Sequence, residues 1–271
     1  MRILNTAFAA LTALTIYTTV ASPLLAEGAA DAVWNGVDIA VLGEVHDNPA
    51  HHLEQARLTT LIAPKALVFE MLTEAQVAAA GADHQDMAGL AAALGWAETG
   101  WPAFDLYAPI FAGAPDAVLY GAGLPRAAAR AAMSDGVVAS FGAEAAAFGL
   151  TSPLPVAQQE ARLQLQADAH CGALPEDMLP MMVDLQRLRD AHLARAAVAA
   201  FTETGGPVVI ITGNGHARTD WGATALIRVV QPDLTVVALG QGEEGIPATG
   251  VFDVHADAAG VDRGDPCDAF R

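Results

Sequence analysis

A single α/β domain, built on a mainly parallel sheet of about five strands with helices on both faces, is the fold class this sequence predicts. Three observations predict it. Short segments recur that are apolar on both faces, as strands covered from each side must be. Helical patterns separate them, which is the alternation of a parallel sheet. The chain has 271 residues and is 53% hydrophobic, enough to fill one large core and too apolar for disorder.

The expected strands are 37–42, 66–70, 117–121, 207–212 and 234–239. Between the first two, Asp47-Asn48-Pro49 reads as a cap with proline in the first turn, opening a helix to about Ile62. Thr73-Glu-Ala-Gln opens another that runs to about Leu94. From about Ala97 to Pro115 the tryptophans and prolines predict irregular chain, and 135–157, rich in Gly, Ala, Ser and Pro, predicts a loop or flexible insertion. A long helix is expected over Glu176–Thr202, closed by Gly205-Gly206, and a short one over 222–230. After Val251 the Asp, Gly and Pro content predicts a loop, fixed by Cys267.

The N-terminus has the pattern of a targeting segment. Met1-Arg2 gives a positive start, Ile3 to Val20 is uncharged and apolar, and Ala26 precedes Glu27 as a small residue at a cleavage point. The expected organisation is a signal peptide over 1–26 and one domain over 27–271. A retained anchor is the alternative, but the stretch lacks stop-transfer charges. Export predicts a periplasmic protein with no stable membrane anchor after cleavage. It also makes a disulfide between the two cysteines, Cys171 and Cys267, the expected state, with two unpaired thiols as the alternative. A formal charge of −18 excludes nucleic acid as a partner, because no basic surface exists to displace counterions.

The chemistry is carried by two GxxH patterns, Gly43-Glu-Val-His46 and Gly213-Asn-Gly-His216, each following a strand-like run. Parallel sheets bind ligands along the carboxyl edge, so two histidines arriving there predict one shared site. Either histidine alone is served as well by a structural hydrogen bond. Glu70 ends the second expected strand, where a buried carboxylate needs a cation or a partner. His46, Glu70 and His216 would make a three-ligand metal site for zinc, manganese or cobalt, and Glu44 is a second carboxylate or base. His51 and His52, with Asp47 and Gln55, sit on the helix that opens beside this edge. Arg218 follows His216 closely enough to pair with a ligand carboxylate or with Glu70. Tyr107 and Tyr120 are weaker candidates for a haem phenolate. Gln186-Arg187-x-Arg189-Asp190 gives the long helix a polar face able to pair internally or approach the site. No GxSxG, P-loop, GxGxxG or CxxC is present.

Six segments together resemble the ChaN-like family of the haem-binding uptake and Tiki superfamily. They are Leu42-Gly-Glu-Val-His-Asp-Asn-Pro-x-His-His, Phe69-Glu-Met, Tyr120-Gly-Ala-Gly-Leu-Pro-Arg126, His170-Cys-Gly-Ala-Leu-Pro175, Gln186-Arg-Leu-Arg-Asp190 and Thr212-Gly-Asn-Gly-His-Ala-Arg218. The resemblance implies an α/β fold, export and haem binding in iron uptake, with a homodimer enclosing the haem. His46, His51, His52, His216 and Arg218 are the expected haem contacts. Relatives in the wider superfamily resemble metal-dependent hydrolases, which implies an alternative role for His46, Glu70 and His216. Some relatives carry a lipoprotein cysteine; here none stands at the cleavage point. No tyrosine is placed by motif, so the axial ligand stays open.

Overall fold

The computed structural model describes residues 31–81, 86–265 and 267–268; the expected signal peptide lies outside them. The described residues from Trp34 onward form one compact unit, which holds the sheet and its helices. The sheet contains β1 (Ile39–Glu44), β2 (Ala66–Phe69), β3 (Val118–Gly121), β4 (Val208–Gly213), β5 (Val236–Glu243) and β6 (Val254–Ala258). Their order is β3-β2-β4-β1-β5-β6, and every pairing is parallel. The chain leaves β1 for β2 and β3, returns with β4 between them, then crosses to β5 and β6. Its direction therefore reverses around β1 and β4, where an open sheet leaves a crevice at its carboxyl edge.

Alternation along the strands divides the interior into two layers. On one face Ile39, Val41, Val68, Ile210 and Ala238 meet the helix Leu179–Thr204, which presents Leu188, Ala191, Ala194, Ala197 and Ala200. Alanine at that spacing lets the long helix lie close against the sheet, and Gly205 closes it in the left-handed conformation. On the other face Ala40, Leu42, Leu67, Phe69 and Ile211 pack with Leu58, Tyr107, Ile110 and Phe111. Helices are numbered in chain order: α1 (Pro49–Ile62), α2 (Glu74–Ala80), α3 (Met87–Ala93), α4 (Phe104–Gly113), α5 (Arg126–Asp135), α6 (Val137–Phe141), α7 (Val156–Ala169), α8 (Leu179–Thr204), α9 (Asn214–Ala217) and α10 (Ala223–Val230).

Several expectations need correction. The segment expected to be irregular contains α4, which tolerates Pro109 in its interior because Tyr107, Ile110 and Phe111 are all buried. The expected loop at 135–157 begins with α6, held by buried Val137 and Phe141. One helix expected from Thr73 to about Leu94 is two, α2 and α3, and residues 82–85 between them lie outside the described set. The expected loop after Val251 holds a sixth strand: Val254, Ala256 and Ala258 are half-buried while His255 and Asp257 point outward. As expected, Cys171 and Cys267 form a disulfide.

Candidate functional site

Adjacent strand ends build the site. β1 and β4 pair so that Gly43 faces Thr212 and Glu44 faces Gly213, which sets the two GxxH patterns side by side. Their glycines are reciprocal. A Cβ on Gly43 would stand 2.5 Å from Asn214 Oδ1, and one on Gly213 would stand 2.8 Å from His46 Nε2. Each motif thus leaves room for a side chain of the other.

Glu44 is 2% exposed. Its Oε1 accepts from the Tyr107 hydroxyl at 2.8 Å and from His46 Nδ1 at 2.7 Å. Burial and the adjacent Glu44 carboxylate push the Tyr107 phenol up, so it stays protonated and donates. Burial disfavours charge on His46, but the Glu44 hydrogen bond and the nearby Glu70 outweigh it and raise its pKa. His46 keeps a side-chain exposure of 31%, and its ring lies 4.7 Å from that of Trp101.

Glu70 follows β2 directly. Its Oε2 accepts from Thr212 Oγ1 at 2.7 Å and from the Gly213 amide at 2.8 Å. Burial alone would raise this carboxyl; the charges of His216 and His46 and those hydrogen bonds hold it at about 2. His216, on α9, pairs through Nδ1 with Asp190 Oδ1 at 2.7 Å. Burial opposes charge on His216, yet Glu70 and Asp190 together raise its pKa. His46 Nε2 is 3.9 Å and His216 Nε2 3.5 Å from the Glu70 carboxylate. Two imidazoles, each held at Nδ1 by its own carboxylate, therefore aim their second nitrogens at one shared acid.

His51 and His52 occupy different roles. Both are buried. His51 Nδ1 accepts from the Val45 amide at 2.9 Å and Nε2 donates to the Gly242 carbonyl at 3.0 Å, so both nitrogens are used structurally. His52 Nε2 donates to the His46 carbonyl at 2.9 Å, fixing the loop that carries His46. Arg218 pairs with Asp220 and stacks on Trp221, its Cζ 3.5 Å from the ring centre, rather than reaching Glu70. Tyr120 donates to Glu203, which with burial pushes its phenol up to about 12. Among the described residues no group of three or more His, Cys, Asp or Glu side chains is placed to hold a metal ion. His46, Glu70 and His216, the expected metal set, do come together at the strand ends, as a cluster of ion pairs.

Beside Glu70 opens a cavity of about 420 Å³, lined among others by Trp101, Leu124, Pro125, Arg126 and Arg189. Neither Arg126 nor Arg189 makes a hydrogen bond or ion pair with another described residue, although the chain has only 13 Lys and Arg in all. Sequence reasoning did not single out Trp101 or Arg126 for the site. The polar face of α8, expected either to pair internally or to approach the site, does both: Arg187 pairs with Asp184 within the helix and Asp190 holds His216.

Residues 32–227 match the family described as haem-binding uptake, Tiki superfamily, ChaN. No curated protein matches the chain. A solved structure titled cofacial heme binding to ChaN of Campylobacter jejuni is 17% identical, covers 81% of this chain and 87% of its own, and superposes with a TM-score of 0.63. That likeness establishes the fold. The type III effector HopBA1, 16% identical over 86% of this chain and 91% of its own, has a TM-score of 0.42.

Proposed function

This chain belongs to the haem-binding uptake, Tiki superfamily, ChaN family, and on that premise we propose that it binds haem at the carboxyl edge of its sheet and serves haem or iron uptake. One observation carries the assignment to these residues. His46 is half-buried, its Nδ1 is held by Glu44, and its Nε2 has no hydrogen bond among the described residues. That is how a protein presents an imidazole to iron, since the carboxylate partner fixes both ring and tautomer. The surroundings fit the rest of the group: an aromatic wall at Trp101 and two guanidinium groups unpaired among the described residues, Arg126 and Arg189, to meet propionates. Bound haem supplies a coordinated iron whose properties its axial ligand sets. In this reading Glu44 orients His46 and keeps its proton on Nδ1. Glu70 and His216 form the polar floor, and Tyr107 holds Glu44.

Export, a periplasmic location and a homodimer belong to the same proposal. Among the described residues no helix is long and apolar enough to cross a membrane. The test is an absorbance titration of the purified chain with hemin, beside elemental analysis of the same sample and sedimentation before and after loading. A saturable Soret band at about one haem per chain, lost in His46→Ala, is expected. Stoichiometric zinc, manganese or cobalt without a Soret response would overturn the reading in favour of a metal-dependent hydrolase.

A further inference from the structure

After β6 the chain turns back along the carboxyl edge of the sheet. Asn48, the cap of α1, donates to the Ala259 carbonyl at 2.9 Å. The Gly260 amide donates to Glu244 at 2.7 Å. Arg263 then bridges Asp47 and Glu243, and Cys267 is joined to Cys171, two residues past the end of α7. Two of these partners, Asp47 and Asn48, directly follow His46. They form the turn between β1 and α1 that His52 also fixes, through its bond to the His46 carbonyl.

None of the described residues after Ala256 enters either apolar layer. The tail is therefore held by polar contacts and one covalent bond, and a segment held so opens locally at little cost. Ion pairs as exposed as that of Arg263 are worth about 1 kcal/mol or less. The disulfide decides whether the tail stays in place, because it keeps Arg263 at a high local concentration beside Asp47. Both cysteines are only partly buried, so a thiolate can reach the bond.

We propose that the Cys171–Cys267 disulfide is a redox latch on the turn that carries His46. A dithiol reductant opens it, the tail releases Asp47 and Asn48, and the grip on a ligand at His46 loosens. The exchange balances: the reductant gives up two electrons and two protons and closes to a disulfide, while Cys171 and Cys267 become thiols. The mobility of the turn is independent of any ligand; only the loosened grip rests on the haem reading above.

Hydrogen exchange of the full chain, with and without dithiothreitol, tests the latch. Over labelling times in which β1 and β4 stay protected, reduction should quicken exchange in 45–52 and 259–265 by about tenfold, the factor carried by loss of a charged hydrogen bond. Arg263→Met, with the disulfide intact, should quicken 45–52 by a smaller factor. The double substitution Cys171→Ser, Cys267→Ser should match the reduced wild type and ignore the reductant. Hemin should leave that variant, which has no thiol to act on the iron, about tenfold faster than it leaves the oxidised wild type. Unchanged exchange in 45–52 on reduction, a response to dithiothreitol in the double variant, or unchanged hemin dissociation would each overturn the proposal. If the wild type binds no hemin at all, the haem reading fails, and the latch stands or falls on exchange alone.

Discussion

At the scale of single residues the site depends on who holds whom. Tyr107 is fully buried and donates to Glu44, whose Oε2 already lacks a hydrogen bond. Tyr107→Phe should therefore destabilise the fold by about 1–3 kcal/mol, the cost of stripping a donor from a buried acid, read from urea denaturation. Gly213→Ala should behave oppositely. Gly213 has φ −64°, which alanine accepts, but the added Cβ would stand 2.8 Å from His46 Nε2. The imidazole must move, so hemin affinity should fall with little change in Tm. A large loss of stability, with haem binding intact, would show that the glycine serves the backbone alone. His46 and His216 were legible in the sequence because each follows a strand-like run by a fixed spacing. The bond from Tyr107 to Glu44 was not, since it joins residues 63 apart in sequence.

Among the elements, burial decided what could be read. β1 and β4 are buried along their whole length and appear as plain apolar runs. β6 lies at the sheet edge and alternates, with Ala, His and Asp in place of branched residues, so its composition pointed to a loop. α4 was obscured by Pro109, because local signals are outweighed where three aromatic and aliphatic side chains enter the core. The chain after β6 is tied back to the start of α1. Arg263 pairs with Asp47 at 2.6 Å and Glu243 at 2.6 Å, and Asn48, the cap of α1, also donates to Glu243. The Arg263 hydrogen bond holds Asp47 below its usual value and Glu243 at about 2. Depressed carboxyl pKa values add stability above the unfolded values near 4, and lose it as pH falls toward 2. Arg263→Ala should cost about 1 kcal/mol at pH 7, allowing for solvent screening of this half-exposed cluster. That gap should close between pH 4 and pH 2 in paired urea titrations. A gap unchanged at pH 2 would show that Arg263 acts through packing.

For the whole molecule, the parallel α/β class and its carboxyl-edge site followed from pattern, because a sheet covered on both faces leaves few alternatives. The pairing of His216 with Asp190 did not, since it depends on how α8 crosses the sheet. Reducing the Cys171–Cys267 disulfide frees a loop with a sequence separation of 96, and a chain-entropy argument puts the loss at about 4 kcal/mol or less. A fall in the urea midpoint on adding reductant checks it. The same bond also sorts the site topologically. Asp190, His216 and Arg218 lie within a covalent ring, while Glu44, His46, Glu70 and Tyr107 lie on the open strand that precedes it. A protease that severs the backbone once inside the ring leaves a single molecule. Its halves part on a reducing gel and stay together on a non-reducing one.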